Sequence, residues 1–317
     1  MSSLLAKGYN GEKEPNNLIE RVVFSISNTK SMIFTIFGDY VRHYGNKIWI
    51  GSLIQLMKEF GHNEQAVRVV LSRMMKQGWF ETERVGRKSY YYLTKRGVSR
   101  IEEAASRIFK LEPHEWDGQW RMLIYNIPED KRQLRDELRK ELLWSGFGTF
   151  TNGCWITPND LAKEVRLLIA KYEIEDHADL FLSENRGPRS NQELVAKSWP
   201  LEEIEKKYEE FISIYSHKFV VSTSAMESGL LSDAQCFVER TNLVHEYRKF
   251  LFVDPGLPKE LLPEMWSGTH SAHLFAQYYK LLAEPANRFF EHIFEKDNDI
   301  SRKDATYDAE DNPMIIK

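Results

Sequence analysis

The sequence lacks several features that mark particular classes of protein. It has only two cysteines, Cys154 and Cys236, in 317 residues. Neither has a CxxC partner, so neither a disulfide framework nor a cysteine-based metal site is predicted. No run of eighteen apolar residues is present, and the N-terminus lacks the apolar core and cleavage site of a signal peptide. These absences predict a cytoplasmic protein without a bound metal or a membrane partner.

Motifs of common catalytic sites are also missing. The chain contains no GxSxG, HExxH or P-loop pattern, and these patterns mark particular hydrolases and nucleotide-binding proteins. His270 and His273 have the i, i+3 spacing of a metal pair, but no third ligand of suitable spacing is near them. We expect both to be surface or packing residues. The sequence therefore predicts no catalytic residue and no cofactor.

Positive charge is concentrated in one part of the chain. The whole sequence has 43 Lys and Arg against 47 Asp and Glu, a formal net charge of −4. Residues 31–110 contain 14 Lys and Arg against 7 Asp and Glu, so they carry +7 and the remaining residues carry −11. A basic segment in an acidic chain predicts one part that meets a polyanion and a remainder that does not.

The basic segment follows the order helix, strand, helix, helix, hairpin, helix, after a leader at residues 1–28 that we expect to be flexible. Cap residues and glycines mark the ends of these elements. The predicted elements are a helix from Ser31 to Gly45, a strand at Ile48–Ile50, helices capped by Ser52, Asn63 and Thr94, and a hairpin that turns at Gly86. Residues 29–110 are therefore predicted to form a winged helix-turn-helix, in which the hairpin is the wing.

The third helix of this segment has one apolar and one polar side. The apolar side is a predicted buried stripe formed by Val67, Val70, Leu71 and Met74. The opposite side is polar and basic, as expected of a helix that enters the major groove of DNA. The predicted contacts are Gln65, Arg68, Ser72, Arg73 and Lys76.

The predicted wing is basic at its tip and rich in tyrosine on its return strand, residues 86–94. Because side chains alternate along a strand, Tyr91 and Leu93 are expected to face the helices. Tyr90 and Tyr92 then face outward, where each either contacts the sugar-phosphate backbone or is simply solvated. The predicted DNA contacts of the wing are Arg84, Arg87, Lys88 and Tyr90.

The rest of the chain changes pattern after a linker at residues 110–117. Residues 111–198 show the order β-α-β-α-β, with one more strand needed for a ferredoxin-like α/β domain. Residues 199–296 are predicted to be helical, and residues 297–317 to be a disordered tail. The predicted fold class is α+β, with a winged helix-turn-helix, a ferredoxin-like domain and a C-terminal helical domain.

Five segments resemble the PaaX family of transcriptional repressors of phenylacetate-degradation operons. They are FGDYVRHYGNKIWIGSLIQLMKEFG, AVRVVLSRMMKQGWFETERVGRKSYYYLT, WDGQWRMLIYNIP, LLWSGFGTF and DPGLPKELLPEMWSG. The resemblance implies a cytoplasmic homodimer that binds double-stranded operator DNA and is released by phenylacetyl-coenzyme A. It also implies that the helical region supports dimerisation.

An aryl-coenzyme A effector requires aromatic side chains for its ring and cations for its phosphates. Residues of these types outside the winged helix are Trp144, Trp155, Tyr247, Arg248 and Trp266, for which core packing is the alternative role.

Two alternatives to a repressor remain open from the sequence. The central domain is similar to the small ferredoxin-like endonuclease subunits of CRISPR adaptation, which suggests a nucleic-acid enzyme. The first strand of those subunits commonly ends in Tyr-Asp, whereas this chain has Tyr125-Asn126, and Asn lacks the charge that Mg²⁺ favours. The other alternative is a non-enzymatic scaffold whose winged helix binds protein, which the charge of the basic segment disfavours.

Overall fold

The computed structural model describes residues 28–297, with side chains up to residue 294. The predicted leader before Asn28 and the predicted tail after Asp297 lie outside the described residues. Among residues 28–297, no helix is both long enough and apolar enough to cross a membrane.

Residues 28–108 form helices around a three-stranded antiparallel sheet of order β1-β3-β2. As predicted, Asn63 and Thr94 cap helices by accepting from Ala66 N at 2.8 Å and Gly97 N at 3.1 Å. The elements are α1 (Thr29–Asp39), β1 (Lys47–Trp49), α2 (Ile50–Lys58), α3 (Glu64–Lys76), β2 (Phe80–Val85), β3 (Lys88–Leu93) and α4 (Lys95–Ile108).

Two predicted boundaries in this segment are wrong. The first helix is capped by Asn28 and ends at Asp39, so it neither begins after Ser31 nor continues to Gly45. The second begins at Ile50 instead of after Ser52. The Ser52 hydroxyl is buried and donates to the carbonyl of Ile293 at 3.2 Å, so a tertiary contact uses the group that was expected to cap the helix.

Residues 120–183 form a four-stranded antiparallel sheet of order β5-β6-β4-β7, with the chain order β-α-β-β-α-β. The fourth strand arises because residues 148–157 form two strands. One face packs against two helices through Leu123 and Trp155, and the other face carries Trp120 and Ile156. The elements are β4 (Trp120–Tyr125), α5 (Arg132–Trp144), β5 (Gly148–Thr151), β6 (Cys154–Thr157), α6 (Ala162–Lys171) and β7 (Ala178–Ser183).

Two features near this sheet differ from the sequence analysis. The sequence pattern predicts that Asn159 caps the second helix of this domain, but α6 begins at Ala162. The side-chain amide of Asn159 donates instead to the carbonyl of Pro255 at 3.1 Å. Helix α7 (Asn191–Ser198) was not predicted, and it covers the second face of the sheet with Val195. Its start has a capping box formed by Ser190 and Glu193.

The C-terminal region consists of α8 (Leu201–Glu227), α9 (Asp233–Tyr247) and α10 (Ser267–Asp297). The sequence pattern predicts the first helix of this region over residues 201–217, and α8 continues ten residues further. In this extension Ser222 and Tyr278 of α10 share a hydroxyl–hydroxyl bond of 2.7 Å. Packing against α10 thus extends α8 through a stretch whose own pattern is weak.

The N-terminal helices and the C-terminal helices share one hydrophobic core. Helix α1 packs against α9, and α2 packs against α10. Within this core the guanidinium of Arg240 donates to both carboxylate oxygens of Asp39, at 3.1 and 3.0 Å, and Tyr279 donates to the same carboxylate at 2.7 Å. A buried ion pair therefore joins two regions 201 positions apart in the chain.

Candidate nucleic-acid interface and ligand cavities

Helix α3 presents the polar face that its sequence predicts. Val67, Leu71 and Met74 are fully buried against the core, whereas Val70 is half-buried. The exposed residues of the opposite side include all five predicted DNA contacts: Gln65, Arg68, Ser72, Arg73 and Lys76.

The cations of α3 are available to a polyanion. Arg68 pairs with Glu64 at 2.8 Å, and because both side chains are about half exposed, this pair contributes little to stability. Within the described part of the chain, Arg73 and Lys76 form no ion pair. Their charge is therefore not neutralised by any acidic side chain of residues 28–294.

The hairpin of β2 and β3 projects a basic tip. Gly86 has a φ of +59° at the first position of the two-residue turn, a conformation that favours glycine. Arg84 and Arg87 are exposed, and Lys88 is half-buried with its ammonium 5.4 Å from the centre of the Trp49 ring. The structure thus leaves the two arginines open to a partner.

The prediction that Tyr90 contacts DNA is wrong, because only 3% of its surface is exposed. Strand β3 is central in its sheet, so Tyr90 lies between Trp49 of β1 and Glu83 of β2. The ammonium of Lys47 also lies 5.0 Å from the Tyr90 ring centre. Leu93, on the opposite face of β3, is buried in the core as predicted.

The five residues proposed for an effector do not form one site. Trp144 and Arg248 line a cavity of about 380 Å³ between α1, α4 and the end of α9, named here the α1–α4–α9 cavity. Tyr247 and Trp266 line a second cavity of about 380 Å³ beside residues 110–114, named the linker cavity. Trp155 lines neither cavity; it is buried in the central sheet and donates to the Tyr125 hydroxyl at 3.1 Å.

The rings of the linker cavity are engaged in packing. Tyr247 stacks on Phe275 with ring centres 4.1 Å apart, and Tyr208 stacks on Phe250 at 3.9 Å. The Tyr208 hydroxyl donates to the carboxylate of Asp254, and burial together with that carboxylate raises the pKa of Tyr208. These contacts favour the structural role for the aromatic residues of this cavity.

The rings and cations of the α1–α4–α9 cavity are arranged differently. The guanidinium of Arg100 lies 3.7 Å from the centre of the Trp144 ring, and the Trp144 indole donates to Glu103 at 2.5 Å. Arg248 donates to the carbonyl of Ser31 at 3.0 Å, and burial lowers its pKa to about 10. Burial lowers the pKa of an arginine when it removes water from the guanidinium and no nearby anion compensates for the loss.

Family models match most of the chain. Residues 28–97 match "PaaX-like protein", residues 113–195 "PaaX protein central Cas2-like domain" and residues 199–292 "PaaX-like protein C-terminal domain". The transcriptional repressor PaaX of Escherichia coli strain K12 is 32% identical over 262 residues, which cover 82% of each chain. The chain belongs to the PaaX family.

Among solved structures, an uncharacterised protein of Mycobacterium tuberculosis, Rv0674, is similar to this PaaX-family chain. The sequence identity is 25% and the TM-score is 0.49. The match covers 85% of this chain and 99% of that one.

The Cas2-like domain of this PaaX-family protein places Tyr125-Asn126 at the end of its first strand. Tyr125 is buried, whereas Asn126 is exposed, and its backbone amide donates to the carbonyl of His177 at 2.9 Å. Among the described residues, no group of three or more His, Cys, Asp or Glu side chains is positioned to hold a metal. The donor set at Asn126 thus does not fit a divalent cation.

Two cavity residues of this PaaX-family protein were not predicted from the sequence. Lys30 and Arg100 line the α1–α4–α9 cavity with Arg248, which was predicted. No local pattern marks Lys30 and Arg100, because they are 70 positions apart and Arg248 lies a further 148 positions along the chain. The Asp39–Arg240 pair had no sequence signal for the same reason.

Proposed function

We propose that this PaaX-family protein is a DNA-binding transcriptional repressor and not an enzyme. The observation that carries the proposal is α3, whose exposed side is polar and basic and lies opposite an apolar stripe that packs on the core. The sequence similarity to a transcriptional repressor supports the same conclusion. The chain order and sheets support a winged helix-turn-helix at residues 28–108 and a ferredoxin-like central domain.

In this proposal α3 enters the major groove and the wing contacts phosphates. Arg68 and Arg73 are the base-reading candidates, since arginine pairs in a bidentate manner with guanine. Arg84 and Arg87 contact the backbone, where a cation gives affinity without sequence preference. Gln65, Ser72 and Lys76 contribute further groove or phosphate contacts.

The repressor acts in the cytoplasm as a homodimer on a palindromic operator, because one winged helix covers only a short site. We assign dimerisation to the helical region from Leu201 onward. Light scattering at micromolar protein concentration tests this assignment. A dimer with or without operator is expected, and a monomer under both conditions contradicts it.

The effector of the proposed repressor is phenylacetyl-coenzyme A, and its targets are genes of aryl-coenzyme A catabolism. To release DNA, the thioester must bind the DNA-free state more tightly than the DNA-bound state. A hundredfold release requires about 2.7 kcal/mol of differential affinity. Operator DNA must then weaken thioester binding by the same factor.

One titration tests the function. Purified protein is mixed with labelled promoter DNA of phenylacetate genes and Mg²⁺, and the DNA is followed on native and denaturing gels. The expected result is a shifted, intact band that phenylacetyl-coenzyme A releases. Cleaved DNA supports a nuclease instead, and an unshifted band supports a scaffold that binds protein.

A further inference from the structure

The α1–α4–α9 cavity lies where the N-terminal unit meets the rest of the molecule. Phe34 of α1 and Ile101 of α4 line one side, and Trp144 and Arg248 line the other. Its volume of about 380 Å³ is within the range of small-molecule sites, about 300–1,000 Å³. A molecule bound there would contact all three regions of the chain.

Most of the lining is apolar and aromatic. Phe34 meets Trp79 edge to face at 5.5 Å, and Trp144 meets Phe252 edge to face at 5.1 Å. Phe252 is 61% exposed, although burial of an aromatic side chain is normally favourable. An apolar ring system placed between these two pairs would cover it.

The charges that line the cavity are not balanced. Among the described residues, four charged side chains line it: Lys30, Asp39, Arg100 and Arg248. Asp39 is neutralised by Arg240, and Arg100 pairs with Glu103 at 3.2 Å.

Two cations of the lining form no ion pair in the described part of the chain. Among the described residues, Lys30 donates only to the amide oxygen of Gln77, at 2.7 Å. Within the same residues, Arg248 donates only to Ser31, and its Nε is buried without a hydrogen-bond partner there. Because burying an unpaired charge is costly, the guanidinium of Arg248, whose Nε is buried, favours an anion in the cavity. Lys30 is half-buried and adds positive charge.

We propose that the α1–α4–α9 cavity binds an organic anion with an aromatic body, whose ring packs between Trp79 and Trp144 and whose acidic group pairs with Arg248. In a free aryl acid this group is the carboxylate. In a larger thioester conjugate the acyl oxygen accepts from Arg248 instead, because the phosphates belong to the nucleotide end. At about 380 Å³ the cavity accommodates the aryl end of such a conjugate and not its nucleotide.

The site also suggests how a ligand affects DNA binding, a step that rests on the proposed function. Arg248 ties the end of α9 to Ser31 in the first turn of α1, and α1 packs against α3. An anion that pairs with Arg248 competes with Ser31 for the same guanidinium. Ligand binding therefore favours a different position of α1 and, through it, of α3.

Calorimetry on the full chain without DNA tests the site, using phenylacetate, coenzyme A and phenylacetyl-coenzyme A as separate probes. Arg248→Met removes the charge and keeps the aliphatic stem, and Ala104→Leu fills the cavity from α4. We expect each to weaken binding of the aryl probe by at least about tenfold. Phenylacetate binding identifies the free acid, and binding of the thioester alone identifies the conjugate.

Matched controls distinguish this cavity from its neighbourhood. Lys249→Met removes an exposed cation next to Arg248, and Thr269→Leu fills the linker cavity. Both variants should bind the aryl probe with an affinity within about twofold of the wild-type value. The proposal is overturned if no aryl probe binds. It is also overturned if Arg248→Met binds the probe with wild-type affinity and Ala104→Leu, provided that this variant folds, does the same. Operator binding is measured separately on the same preparations. If the operator still binds when the aryl probes do not, only the ligand site is contradicted and the proposed repressor function stands.

Discussion

Arg68 and Arg73 are both exposed on α3 and lie about 1.4 turns apart. An arginine that reads a base contributes about 1–3 kcal/mol of discrimination. We therefore predict that Arg73→Ala weakens operator binding by that amount and relaxes sequence preference at one position. Fluorescence anisotropy with a panel of single-substituted operators measures both effects. Arg166→Ala, on the exposed side of α6, is the control and should bind like the wild-type chain.

His245 gives the fold a pH dependence. It is buried and bonded through Nδ1 to the Thr35 hydroxyl at 3.0 Å, and burial lowers its pKa from 6.5 to about 4. Between these values the unfolded chain binds a proton that the folded chain does not. The stability contributed by the neutral imidazole is complete above pH 6.5 and is lost as the pH falls toward 4.

The corresponding prediction compares pH 7 with pH 5. Between them the wild-type free energy of unfolding should fall by about 2 kcal/mol more than that of His245→Gln. Urea unfolding at both pH values measures the difference. His217→Gln, at an exposed position, should retain the full wild-type dependence. Equal losses for the wild-type chain and His245→Gln would remove His245 as the cause.

At the scale of elements, the wing and α3 are predicted to act differently. Arg87 lies at the hairpin tip, away from the core, where it contacts a phosphate in the proposed complex. Arg87→Ala should therefore weaken binding to operator and to unrelated DNA equally. The slope of log affinity against log salt should decrease by about one. A salt titration with both DNAs measures the slope. An unchanged slope would show that the wing does not contact DNA.

At the scale of the whole molecule, the Asp39–Arg240 pair holds the N-terminal unit on the C-terminal helices. Arg240→Met leaves a buried carboxylate without its partner, which costs about 3–5 kcal/mol. The free energy of unfolding in urea should fall by this amount, and adding Asp39→Asn should restore part of it. Arg288→Met, which breaks the exposed pair with Asp233, should change stability little. A similar loss in both single variants would contradict the special role of the buried pair.

Much of the fold followed from local signals in the sequence. Asn63 and Thr94 begin α3 and α4 because their side chains accept a backbone amide within three residues. The exposed side of α3 followed from helical periodicity, and the turn at Gly86 from its tolerance of positive φ. These features depend on neighbours within one turn of the chain, so the sequence alone determined them.

Only the tertiary structure decided the features that depend on distant partners. Tyr90 is buried because β1 pairs with β3, and alternation within β3 contains no information about that third strand. Trp144 and Tyr247 line different cavities, although the two linings share Ile108 and Leu251. Asp39 meets Arg240 across 201 positions. Contacts of this kind are set by packing of whole helices, which residue periodicity does not encode.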